Sequence, residues 1–191
     1  TVQVTATAAA SNVTNTIASG TLASPDHPTL TNFPNSTATI SAYAVGVGLT
    51  GAKSFSHTTI DPGQNTRLRI DLTAPLDTNL TNFSVTDDLS LIGLTITNST
   101  PASKTANCIG GTLTATTGTN IITWAGGTIN AGQLCRIEVY VTSNTAGAVT
   151  NRITPANISN TENRDPAADI TAVLNVTQPS DLSVSKLFSP N

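Results

Sequence analysis

Thr66-Arg67-Leu68-Arg69-Ile70-Asp71-Leu72-Thr73 is the stretch whose pattern points to the fold. Successive side chains of an extended strand point to opposite faces. Leu68, Ile70 and Leu72 therefore share one face, and Arg67, Arg69 and Asp71 share the other. That is one-sided burial, the signature of an antiparallel sheet with one wet face. Before it stands a turn, Asp61-Pro62-Gly63-Gln64, in which Pro fixes φ and Gly permits φ > 0. After it come the connection Ala74-Pro75-Leu76-Asp77-Thr78-Asn79 and a strand carrying Leu80, Phe83 and Val85, which ends at Asp87-Asp88.

The rest of this region repeats the scheme. Leu89 to Ile96 is apolar, and Asn98 to Lys104 reads as a loop. Gly110-Gly111, Gly118, Gly126-Gly127 and Ala131-Gly132 read as turns between strands carrying Leu113, Ile121 to Trp124, Ile129, and Ile137 to Val141. Val149 to Ile153, Ile158, and Ile170 to Val176 close the unit. Short strands with turn signals about every 8–12 residues indicate an all-β protein, an antiparallel β-sandwich. No segment has helical periodicity.

Two near-copies give the chain a period. Lys53-Ser54-Phe55-Ser56 returns as Lys186-Leu187-Phe188-Ser189, an offset of 186 − 53 = 133. Val13-Thr14-Asn15-Thr16-Ile17 returns as Val149-Thr150-Asn151-Arg152-Ile153, an offset of 149 − 13 = 136. The expected organisation is the end of one repeat at 1–48, a complete repeat at 49–178, and a linker with a first strand at 179–191. In the first part, Val2, Val4, Val13 and Ile17 mark strands. Residues 20–36 form a Pro-containing loop, and Ile40 to Val47 a last strand. Linkers are expected at 46–52 and 177–181. Lys186, Leu187, Phe188 and Ser189 are expected to form an inter-repeat or inter-subunit strand, with Phe55 and Phe188 as core anchors. With no Met in the sequence, the chain reads as a mature or excised piece.

Composition narrows the function classes. Charged residues make up 10%, against about 25% in an average protein. The net charge of −3 provides no basic field for nucleic acid and no polybasic patch for lipid. No apolar run reaches about 18 residues, so no membrane-inserted helix is expected. Ser, Thr and Asn fill the polar positions, which suits a secreted or cell-surface chain. An apolar fraction of 38% with clear alternation argues for folding rather than disorder. Cys108 and Cys135, an even pair, favour one disulfide, with two buried thiols as the rival. The bridge would contribute about 3 kcal/mol in the chain-entropy picture.

The motifs Lys53-Ser54-Phe55-Ser56, Ile60-Asp61-Pro62-Gly63, Leu68 to Leu72 and Phe83-Ser84-Val85-Thr86-Asp87 together resemble the DUF11-like conserved repeat of bacterial and archaeal surface proteins. Cys108-Ile109-Gly110-Gly111-Thr112 and Gly127 to Cys135 fit the same pattern. The resemblance covers about 53–176 and, in partial form, 1–48 and 182–190. It implies an immunoglobulin-like sandwich repeated in large secreted or cell-wall proteins, with a stalk or adhesion role. The pattern usually has Pro after Phe-Ser. Here His57 stands there, and Pro190 restores it in the second copy.

Candidate chemistry is thin. Asp87-Asp88 could offer carboxylates to Ca²⁺, but no EF-hand-like loop surrounds them, and a solvated strand end is the simpler reading. His27 and His57 lie in polar contexts without a nucleophile elbow. The Gly pairs open no helix, so they are not phosphate loops. Trp124 could stack on a sugar, although a lone Trp in a sandwich more often packs in the core. Lys53 and Lys186 suggest a Lys–Asn isopeptide bond, but a plain exposed Lys is the default. Asn12, Asn35, Asn79, Asn82, Asn98, Asn157 and Asn175 begin glycosylation sequons.

No catalytic, cofactor or metal residue is expected, and an enzyme is the least expected class. The leading expectation is a structural extracellular repeat, a stalk or fibre of an adhesin-like surface protein, whose partners are neighbouring copies. The alternatives are a self-assembling filament subunit joined by strand complementation and a carbohydrate-binding module.

Overall fold

The computed structural model describes residues 10–17, 36–42, 48–97 and 101–178. The chain divides into two units, Thr1–Gly46 and Val47–Asn191. The first contains strands β1 (Ala10–Ile17) and β2 (Ser36–Ala42), paired antiparallel. The expected strand 182–191, with Lys186, Leu187, Phe188 and Ser189, lies outside the described residues.

Among its described residues the second unit is all-β, apart from single 3-10 turns at Ser90–Ile92 and Pro155–Asn157. Its strands are β3 (Thr50–Phe55), β4 (Thr59–Ile60), β5 (Asn65–Thr73), β6 (Leu80–Asp88), β7 (Thr95–Ile96) and β8 (Ser103–Lys104). They continue with β9 (Ile109–Ala115), β10 (Ile121–Ile129), β11 (Leu134–Thr142), β12 (Gly147–Ile153), β13 (Ile158–Ser159) and β14 (Ile170–Val176). One sheet runs β3-β5-β11-β7, with β8 also on β11. A second runs β13-β6-β10-β9, and a third β12-β14-β4. Pairing is antiparallel except for β14 with β4. The architecture is compatible with the expected immunoglobulin-like β-sandwich.

The β5 alternation is realised in space. Leu68, Ile70 and Leu72 are buried, as are Cys135, Ile137, Val139 and Val141 of the paired β11. Facing them in one core are Leu80, Phe83 and Val85 of β6 and Ile122, Trp124 and Ile129 of β10. Phe55 joins this core. The polar face of the same ladder pairs charges across strands. Arg136 makes a two-pronged contact with Asp71, at 2.6 and 2.8 Å. Glu138 lies 2.9 Å from Arg69 and 3.6 Å from Arg67.

Two local readings need correction. The Gly110-Gly111 and Gly126-Gly127 pairs lie inside β9 and β10 rather than at turns between strands. For one glycine of each pair the reason is Trp124. A Cβ on Gly127 would sit 2.0 Å from the indole ring, and one on Gly111 would sit 2.6 Å from its nitrogen. The glycines clear the slot that the indole fills, with its Nε1 donating to the Gly110 carbonyl at 3.2 Å. The expected linker 46–52 also ends early. Leu49 is buried and its amide donates to the Arg164 carbonyl at 2.9 Å, and β3 begins at Thr50.

The β1–β2 strand pair has the same register as the β12–β14 pair. Val13 faces Ile40 and Asn15 faces Ala38; Val149 faces Leu174 and Asn151 faces Ala172. The offsets are 149 − 13 = 136 on one strand and 174 − 40 = 134 on the other. The sequence period is thus also a period of strand pairing.

Candidate functional site

Lys53, Asp87 and Asn151 come together in the interior of the second unit, each from a different sheet. Alternation turns each of them inward. Lys53 lies two residues before Phe55 on β3, and both are buried. Asp87 lies two residues after Val85 on β6, and Asn151 two before Ile153 on β12, again with both members of each pair buried. A side chain at an inward position of a strand has no route to water except its own length.

The side chains of Lys53 and Asp87 are 0% and 1% exposed. Lys53 Nζ lies 2.7 Å from Asp87 Oδ2. Asn151 Nδ2 donates to that same oxygen at 3.1 Å. Beyond these approaches, Lys53 Nζ, Asp87 Oδ1 and Asn151 Oδ1 have no hydrogen-bond partner. This corrects two expectations. Lys53 is not an exposed lysine, and Asp87 is not a solvated strand end. Only its neighbour Asp88 is exposed, where its Oδ1 caps the Ser90 amide at 2.9 Å.

Burial dominates the electrostatics. It lowers the Lys53 ammonium to about 8, against the attraction and hydrogen bond of Asp87. It raises the Asp87 carboxyl above its ordinary value, against the pull of Lys53 and the hydrogen bond from Asn151. Both shifts favour uncharged forms, an amine beside a carboxylic acid. As a stabilising device the trio is poor. Each buried polar group left unsatisfied costs about 1–3 kcal/mol, and a buried ion pair often returns less than its desolvation cost.

A second cross-tie lies elsewhere in the same unit. Cys108, just before β9, is bonded to Cys135 on β11, with Cα atoms 4.8 Å apart. The bridge joins the edge of one sheet to an inner strand of another. Beside it, Lys104 Nζ donates to the Cys108 carbonyl at 2.5 Å and lies 5.8 Å from the Trp124 ring centre. Trp124 is fully buried against Phe83, with ring centres 5.4 Å apart. It is therefore core and offers no face to a sugar. His57 is exposed and Tyr140 half-buried; His27 and Tyr43 lie outside the described residues. Among the described residues no group of three or more His, Cys, Asp or Glu side chains is placed to hold a metal ion. No helix among them is long and apolar enough to cross a membrane.

Residues 50–176 match the family described as Domain of unknown function (DUF7933). The chain belongs to this family. The match begins at the first residue of β3 and ends at the last of β14, so Lys53, Asp87, Asn151 and the disulfide all lie inside the DUF7933 domain. No curated protein matches the chain significantly. The trio was hidden from sequence reasoning because its members are 87 − 53 = 34 and 151 − 87 = 64 residues apart. A signal existed, however: Lys53 and Asn151 each sit inside one of the two self-repeats.

Proposed function

We propose that the chain is a structural extracellular repeat module, part of a stalk or fibre of an adhesin-like surface protein. The observation that carries this reading is the repeated strand-pair register, β1–β2 against β12–β14, at an offset close to one domain length. Such a period is how quasi-one-dimensional arrays are written. In this reading residues 1–48 end one immunoglobulin-like repeat, 49–178 form the next, and Lys186 to Ser189 open another, in the manner of the DUF11-like repeats that the motifs resemble. The disulfide fits an oxidising compartment.

The internal ties fit a load-bearing role. The buried trio ties the first strand β3 to the end of β6 and the penultimate long strand β12. The test is to purify the native material, measure the mass of its denatured chain, and express 49–178 alone. A very large polypeptide, together with a 49–178 piece that folds as a monomer, supports the tandem array. A fibre that dissolves into 19.5 kDa chains replaces it with a filament assembled by strand exchange between subunits.

A further inference from the structure

We propose that Lys53 and Asn151 become joined by an intramolecular amide bond, with Asp87 as the residue that moves the proton. The inference rests on the trio itself and holds whether or not the chain is one link of an array.

Three observations assign the roles. First, the nucleophile is a buried lysine nitrogen whose single close partner is one carboxyl oxygen. Second, Asn151 supplies a carboxamide in the same dry site, with its oxygen unpartnered. Third, the contacts from Lys53 Nζ and Asn151 Nδ2 converge on one atom, Asp87 Oδ2. In amide exchange a proton must leave the attacking nitrogen and another must reach the departing one. An oxygen that touches both nitrogens is placed to do both. Burial moves both groups toward the protonation states this requires, a neutral amine and a carboxylic acid.

The step balances without an oxidant or a co-reactant. The Nζ lone pair of Lys53 attacks Cγ of Asn151, and the Nζ–Cγ bond forms. Asp87 gives its proton to Nδ2, and the Cγ–Nδ2 bond breaks. Nδ2 leaves as ammonia, while Asp87 recovers a proton from Nζ. One hydrogen stays on the new amide nitrogen. Attack on Asp87 itself would expel water and would leave no second acid at the site to assist. The product replaces a costly buried amine–acid pair with a neutral amide. It closes a loop of 151 − 53 = 98 residues that contains the disulfide.

The test is the intact mass of the folded, purified chain after reduction and denaturation. The expected mass is lower than that of the sequence by one ammonia. Trypsin should then leave Lys53 uncut and yield a branched peptide joining residues 1–67 to 137–152. Asp87→Asn is expected to keep the full mass. A folded wild-type chain of full mass overturns the proposal. So does loss of one water with Lys53 joined to Asp87, or loss of ammonia without the branched peptide. The wild-type measurement decides the matter even where the variant fails to fold.

Discussion

The DUF7933 domain has two places where strands of different sheets are held by side chains. At one, Cys108 and Cys135 form a disulfide. At the other, Lys53, Asp87 and Asn151 converge on a single oxygen. Both sites are buried and both bridge sheets. They differ in what the surroundings must provide. A disulfide needs only proximity and an oxidising compartment. The trio needs the core itself, because only desolvation moves the amine and the acid toward their neutral forms. One tie can therefore form early and locally, whereas the other depends on a finished interior.

Breaking the second tie should have the larger effect. Asp87→Ala leaves the buried Lys53 nitrogen without its one close partner and is expected to cost about 3–5 kcal/mol, read from urea denaturation. An effect as small as a surface substitution would mean that Lys53 escapes to water. Replacing both cysteines with Ala is expected to cost about 2–4 kcal/mol by loss of loop closure, measured the same way under non-reducing conditions. Adding a reductant should reproduce that loss in the wild type while leaving the Lys53 tie intact.

Acidity sharpens the contrast, since the disulfide does not titrate. Asn151→Ala cannot form the amide, and the buried Lys53 amine, about 8 in this fold against 10.5 for the free side chain, then titrates. Between those values the unfolded chain binds more protons, so stability is expected to rise with pH. The raised Asp87 pKa works with the opposite sign. The folded chain holds its proton longer, so stability falls as pH climbs above the ordinary 3.8. Chemical denaturation of this variant as a function of pH should show a fall and then a recovery above about 8. Adding Lys53→Met should remove the recovery.

The smallest effect belongs to the wet face of the β5–β11 ladder. Glu138→Gln loses its contacts with Arg69 and Arg67, and these side chains are 24–36% exposed. The expected cost is about 0.2–1 kcal/mol, shrinking as salt is added. The same residue types thus matter little on one face of the fold and a great deal in its interior.

This contrast also explains what the sequence made legible. The strand Thr66 to Thr73 shows its burial pattern because alternation is local, and the cysteines show their bridge because there are two of them. Lys53 shows nothing of the kind: a lysine at an inward position looks in sequence like any other lysine. Asp87 was obscured by Asp88, since an acidic pair at a strand end usually means solvent. The glycine pairs misled for a related reason. Glycine marks turns, but Gly111 and Gly127 are required by an indole ring that only the folded strands bring near.

That indole has a practical consequence. Trp124 is the single tryptophan of the chain. Its ring lies near the Phe83 ring and near the Lys104 ammonium, which donates to the Cys108 carbonyl. Its emission therefore comes from one known spot in the core, on the disulfide side of the DUF7933 domain. A shift in wavelength on reduction would mark loosening there alone. Constant emission while the mass changes by one ammonia would show that the two ties respond separately. The protein carries its own optical gauge, and no dye has to be attached to read it.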